Sequence, residues 1–376
     1  MLSFTSTNPR PSHITPKALS AFISQTIVVL GLVLTLISNT VCAKQLNYPT
    51  DDKGDLCNGH ALLCLRAFND ISFLGTRASA AYGDKGNSTL PITQYKDIKT
   101  QLADGVRALD FNLFPDPGGS SDIHVCFPDC SVIDSGSLQD ILSQVASWLN
   151  DNPRNVVSIF LENTGGVPSA GVADAFKGAG LDTKALKADP TAGWPTLGEI
   201  IGDDKSIVVF GDKGSIVDGK IPYILPYNQN MLIVDQTKVT DKSWQCGPYG
   251  DHGSKSTLMI PHFYLQSANV NGKQYDNLPY PVDLSLMNSW KLMEHTQQCR
   301  GAQAIWANFI MVDFYDQGNS KDMLLGFNSL PIPGDKVSNY YPDFKAYGGG
   351  SSTIQKPTLL AICLLSILTT CFGLRI

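Results

Sequence analysis

Short apolar runs recur along the chain between Cys57 and Leu330, at 71–75, 106–114, 156–163, 206–212, 231–236, 258–265 and 305–315. They are rich in Val, Ile and Phe, and most are too short for helices, so the pattern predicts buried strands. Between several of them the period changes. Over 138–149 the apolar residues Leu138, Ile141, Leu142, Val145, Trp148 and Leu149 fall on one helical face. Ser135 and Ser137 precede that segment as candidate caps, and Asn152-Pro153 stops it. Further helices are predicted near 172–177, 197–201 and 286–299. Seven or eight buried strands alternating with helices over roughly 300 residues predict an α/β fold, most economically a closed (β/α) barrel of the TIM type. No internal repeat, Pro-rich linker or charge block divides the region, so one domain is expected, with loops near 212–220 and 241–256.

Both ends of the chain carry processing patterns instead of fold patterns. Arg10 and Lys17 precede the apolar run 27–37, and Val41-Cys42-Ala43 supplies small residues before a cleavage point. That describes a secretory signal peptide over 1–43, with an uncleaved anchor as the rival. The apolar run is short against the roughly 20 residues a bilayer span needs. At the other end, Gly348-Gly349-Gly350-Ser351-Ser352 is followed by a polar stretch and the apolar tail 358–374. Small residues, a spacer and a terminal apolar tail match a glycosylphosphatidylinositol (GPI) attachment signal over 348–376. Gly348 is the expected attachment residue, and a tail-anchored transmembrane helix is the alternative. The mature chain is then 44–347, a single barrel domain with a C-terminal stalk, secreted and held at the plasma membrane or cell wall through a lipid.

The remaining composition sharpens this picture. Hydrophobic residues make up 43% of the 376 and charged ones only 16%, which excludes a disordered polymer. Removing both ends takes Lys+Arg from 28 to 24 against 34 Asp+Glu, so the net charge moves from -6 to -10. Such a surface repels nucleic acid, and phosphate recognition would have to be local. Cys42, Cys363 and Cys371 leave with the ends, and six cysteines remain. An even count in a secreted chain implies disulfides. Sequence proximity pairs Cys57 with Cys64 and Cys126 with Cys130, which leaves Cys246 with Cys299. A zinc site is the weaker reading, because no CxxC pair occurs. Asn87-Ser88-Thr89 is a glycosylation sequon in a Gly/Asp/Asn-rich stretch that reads as a surface loop.

Polar residues gather where the predicted strands end: Arg77, Asp110 and Asn112, Glu162 and Asn163, Asp212, Asp235 and Asp313. In a barrel those ends share one rim, where active sites lie. Any single carboxylate there could instead cap the following helix. For all of them to be caps is a much less economical reading.

Four stretches carry a family resemblance: CNGHALLCLRAFNDISFLGTRAS, HVCFPDCSVIDSGSLQDILSQVASWLNDNP, WPTLGEII with VVFGD, and NFIMVDFYDQGN. In this order, over about 57–330, they resemble secreted fungal phospholipase-C-like phosphodiesterases of the phosphatidylinositol-specific phospholipase C X-domain superfamily. The resemblance implies a distorted or incomplete barrel whose rim cleaves a phosphoric diester, usually of a lipid headgroup. In that family two histidines move the protons. The first belongs to a segment like GTHDS, which is Gly75-Thr76-Arg77-Ala78-Ser79 here. The second belongs to one like LCHTSC, which is Val125-Cys126-Phe127-Pro128-Asp129-Cys130 here.

Arginine keeps its proton at any usable pH, and phenylalanine neither takes nor gives one. Losing a general acid or base costs about 10²–10⁴ in rate, and this chain replaces both. The expectation is therefore a catalytically impaired barrel that binds a phospholipid or a phosphorylated or sugar-like small molecule. The alternative is an active enzyme built on other groups. Candidates for proton transfer are His262, Asp110 and Asp313, and for ligand or phosphate binding Arg77, Asn112 and Glu162. A carboxylate-held Ca²⁺ or Mg²⁺ activating water is a further route through Asp110, Glu162 and Asp313.

Overall fold

Each of the seven apolar runs forms a strand, and the chain adds six more that are shorter or more polar. In chain order they are β1 (Phe73–Thr76), β2 (Ala108–Pro115), β3 (Ile123–Cys126), β4 (Asp134–Ser137), β5 (Val157–Glu162), β6 (Ile207–Gly211), β7 (Ile224–Pro226), β8 (Met231–Val234), β9 (Pro248–Tyr249), β10 (Thr257–His262), β11 (Leu265–Val270), β12 (Lys273–Pro279) and β13 (Ala307–Val312). The computed structural model describes residues 56–86, 90–189, 193–234, 246–249, 257–263, 265–279 and 287–328. The expected signal peptide, Asn87, Asp235, Gly348 and the expected GPI signal lie outside the described residues. No helix among the described residues is long and apolar enough to cross a membrane.

Parallel pairing joins the strands in the order β7-β6-β5-β2-β1-β13-β10-β8. Read around a ring, that order is the chain order, as in a (β/α) barrel. Among the described residues no ladder joins β7 to β8, so the sheet is a barrel left open at one seam. Antiparallel β9 lies along β8, antiparallel β3 and β4 extend β2, and β11 with β12 forms a separate hairpin.

Side-chain alternation divides the core in two. On one face of the sheet, Leu109, Phe111, Ile159, Leu161, Val209 and Ile310 pack with apolar residues of the helices. The opposite face turns Phe73, Ala108, Phe160, Phe210, Phe309 and Met311 into the ring. There the Phe160 ring lies 5.2 Å from Phe210 and 4.9 Å from Phe309, centre to centre. Gly75 also faces this interior. A Cβ at its position would stand 2.2 Å from the Met311 sulfur, so the ring closes this tightly only around glycine.

The helices end as their sequences dictate. Leu138–Asp151 buries Leu138, Ile141, Leu142, Val145 and Leu149, and the Ser137 hydroxyl accepts from the Asp140 amide at its start. Ser135, the other candidate cap, donates instead to the Ala80 carbonyl at 2.8 Å. Leu197–Gly202 opens with a reciprocal capping box between Thr196 and Glu199. Ser169–Gly178, Leu292–Gln303 and Ser320–Phe327 complete the longer helices. The three disulfides are Cys57–Cys64, Cys126–Cys130 and Cys246–Cys299, the pairing expected from sequence.

Candidate functional site

Because the strands are parallel, their C-terminal ends meet on one rim. Alternation that puts Ala108 inside the ring also points Asp110 and Asn112 inward, and the same rule turns Glu162 inward after Phe160 and Asp313 after Met311. In register, Asn112 lies beside Glu162, and its side-chain amide donates to the Glu162 carboxylate at 2.5 Å. Asp110 accepts from the Ala78 amide at 3.0 Å, while its own amide donates to the Ser79 hydroxyl at 2.8 Å. Asp212 completes the acidic side, accepting from the Asn163 amide at 2.8 Å.

Arg77, one residue beyond β1, is held through all three of its nitrogens. Its Nε and Nη2 donate to the two carboxylate oxygens of Asp313 at 2.9 and 2.6 Å. Its Nη1 donates to the Asn277 carbonyl of β12 at 2.8 Å. The guanidinium lies 4.5 Å from the Phe263 ring centre and 5.2 Å from that of Phe127. This buried cation is thus matched by a carboxylate and flanked by two rings.

The positions where the family's motifs carry a histidine and the following carboxylate have a structural job of their own. Phe127 and Ala78 pack with Ala81, Val132, Tyr275 and Leu278 in one buried cluster. Tyr275 and Leu278 belong to β12, so the β11–β12 hairpin is seated on Phe127 and Ala78. Asp129 ties it down, accepting from the Tyr275 hydroxyl at 2.7 Å and from the Lys273 ammonium at 2.5 Å. Burial opposes ionisation of Asp129, but Lys273, Ser131 and Tyr275 together hold its carboxyl below the usual range.

Electrostatics divide the rim. Burial pushes the Asp110 carboxyl well above its ordinary range, and the neighbouring Glu162 charge adds to that. Glu162 is raised by burial and by Asp212, with Arg77 and Asn112 pulling the other way. Burial raises Asp313 as well, against the pull of Arg77. Tyr227, just after β7, is raised well above its usual value by burial and by the Asp110, Glu162 and Asp212 charges. Lys213, 3.7 Å from Asp212, is largely exposed. Around Asp110, Glu162 and Asp212 the rim therefore offers carboxyl oxygens and an amide, with no buried cation left over among the described residues.

Of the residues expected from sequence, Arg77, Asp110, Asn112, Glu162, Asp212 and Asp313 converge on the rim. His262 does not join them. Leu258 and Ile260 of the same strand pack outward with Cys299, and His262 continues that face. It is 1% exposed and its Nδ1 lies 3.0 Å from that of His295 on Leu292–Gln303. The expectation that His262 stands at the site is corrected by strand parity, which aims it at the helix layer. His295 on that helix is its buried partner.

Nor do the carboxylates converge as a cation site requires. Among the described residues, the only trio with ligand atoms within 4.8 Å of one another is Cys246, His295 and Cys299, and two of these share a disulfide. The donor set of Asp110, Glu162 and Asp313 does not fit Ca²⁺ or Mg²⁺. Sequence reasoning missed Tyr227, Phe263, Tyr275 and Asn277. Tyr227 carried a signal, since it ends a short apolar run at rim height. The hairpin residues carried none, because β11 and β12 are largely polar and exposed.

Comparison with known proteins points the same way as the motifs. The family model described as PI-PLC X 1 matches residues 63–328. An uncharacterized secreted protein of Arthroderma benhamiae is 26% identical over 315 residues, covering 76% of this chain and 66% of that relative. A PI-PLC X domain-containing protein 1 from the same organism is 31% identical over 177 residues, 45% of this chain and 55% of the relative. The chain thus spans a little under two thirds of the first relative's length and about half of the second's. Among solved structures, phosphatidylinositol-specific phospholipase C from Listeria monocytogenes aligns over 69% of this chain and 94% of its own, at 15% identity and a TM-score of 0.47.

Proposed function

The chain belongs to the PI-PLC X family, and on that footing we propose a secreted, GPI-anchored surface protein whose phosphodiesterase site is shut and whose rim binds a ligand. One observation carries this reading: Phe127 and Ala78 lie under Tyr275 and Leu278, while Arg77 is spent on Asp313. Phosphodiester cleavage needs a base, an acid and a cation for the charged phosphorus centre. Here one histidine position, Phe127, is part of an apolar seat, and the other holds Arg77, which is already paired with Asp313.

The open part of the rim favours a hydroxyl-rich ligand over a phosphate. Carboxyl groups and amides accept from and donate to hydroxyls, whereas carboxyl groups offer a phosphate no counter-charge. The polyol part of a lipid headgroup and a cell-wall sugar share that chemistry. Secretion is supported by the leader pattern, by three disulfides and by the secreted relative from Arthroderma benhamiae.

The test is phosphodiester turnover by the purified mature chain on phosphatidylinositol and lysophospholipids, with and without Ca²⁺ or Mg²⁺. No turnover is expected in either condition. Turnover that vanishes in Asp110→Asn would overturn the reading in favour of a rebuilt active site. Binding of myo-inositol or of a glucan oligomer, lost in Glu162→Ala, would identify which polyol the rim takes.

A further inference from the structure

The opposite end of the barrel holds a cavity of about 250 Å³. It opens among the N-terminal end of β1, the residue before β2, the Cys57–Cys64 loop and the helix Ser320–Phe327. Leu63, Phe73, Leu324 and Leu325 give it apolar walls, and Arg107 lines it from the start of β2.

Arg107, half-buried, differs from Arg77 in its partners. Arg77 meets a carboxylate, but every acceptor around Arg107 is neutral. Its Nη1 donates to the carbonyls of Leu102 at 2.6 Å and Val106 at 2.8 Å. Its Nε and Nη2 donate to the Asn155 side-chain oxygen at 3.1 and 2.8 Å. Its guanidinium lies 4.7 Å from the Trp148 ring centre. Four of the five N–H groups are engaged, which leaves one, together with a whole positive charge. Burial pulls the group down to about 10, and no nearby acid offsets it. Buried charges in proteins are normally paired.

The cavity's own acids do not supply the missing partner. Asp104 accepts from the Tyr315 hydroxyl at 2.8 Å and lies 3.4 Å from the Lys321 ammonium. Asp322 also lines the cavity. The space therefore combines apolar walls with a guanidinium short of a counter-charge.

We propose that this cavity is a second binding site, separate from the rim, for a small amphiphilic anion with a carboxylate head against Arg107 and an apolar body along Leu63, Phe73, Leu324 and Leu325. The head supplies the anion the fold withholds, and the body displaces water from apolar surface.

Calorimetric titration of the mature chain with octanoate, octan-1-ol and acetate tests it. Octanoate should bind one per chain, with octan-1-ol and acetate each weaker by about tenfold or more, since each lacks one half of the match. Arg107→Gln should remove octanoate's advantage over octan-1-ol. Where circular dichroism shows that variant unfolded, Lys321→Glu decides, because it reverses an exposed charge at the cavity and should weaken octanoate alone. Equal affinity for octanoate and octan-1-ol overturns the proposal. So does no binding to the folded chain, or octanoate affinity unchanged in folded Arg107→Gln or, where that variant does not fold, in Lys321→Glu.

Discussion

Arg77 and Asp313 stand 236 positions apart in sequence and meet through two hydrogen bonds, of 2.9 and 2.6 Å, across the ends of β1 and β13. The pair is nearly closed off from water, so removing one partner strands the other. Arg77→Met is expected to destabilise the fold by about 3–5 kcal/mol, and Arg77→Met with Asp313→Leu should recover most of that loss. Urea unfolding of the two variants measures both values. A single variant as stable as the parent would mean that the pair is solvated.

The hairpin's hold on the rim rests on Tyr275, through the cluster it shares with Phe127 and its hydroxyl on Asp129. Tyr275→Ala should raise amide exchange in 265–279 and in 126–133 together. Exchange rising in the hairpin alone would show that the two segments are not coupled.

Restoring the family's residues should not restore an enzyme. Arg77→His with Ala78→Asp and Phe127→His puts polar groups beneath Tyr275 and Leu278, which still occupy the space above them. The expected result is a less stable protein without phosphatidylinositol turnover. Measurable turnover would show that the hairpin leaves the site open.

Asp110 and Glu162 keep their protons in the fold at pH values where the unfolded chain has lost them. The folded state then binds more protons, so stability falls as pH rises from the ordinary carboxylate range of about 4 toward neutrality. Asp110→Asn and Glu162→Gln keep the acceptor oxygens and remove the titration. Each should melt above the parent at pH 7 and lose that advantage near pH 4. Melting curves across this range check the sign, and parallel profiles for parent and variants would contradict it.

Cys246–Cys299 links the segment beside β9 to the helix Leu292–Gln303, over a sequence separation of 53. Replacing both cysteines with serine should cost about 2–5 kcal/mol. The loss should be read by denaturant titration of the non-reduced protein.

The sequence carried the barrel because its ring strands are buried on both faces and read as continuous apolar runs. It also carried the disulfides and the rim carboxylates, which follow directly from strand ends. Three features stayed hidden for separate reasons. β7 has only three residues, too few to show a period. β11 and β12 bury only Tyr275 and Leu278, so no apolar run marked the hairpin. His262 sits at the right height but one strand face away from the rim, and parity is lost when a strand's first residue is uncertain by one.

The open seam between β7 and β8 gives the sheet two edges that a closed ring would not have. Exposed edges invite another copy to add a strand, a real hazard for molecules crowded on a surface. Here β9 already lies along β8, and β7 is three residues long and ends in Pro226. Neither side presents a run of free amides long enough to template a neighbour. Among the described residues the ring can therefore stay open between β7 and β8 without a long edge for another copy to pair with.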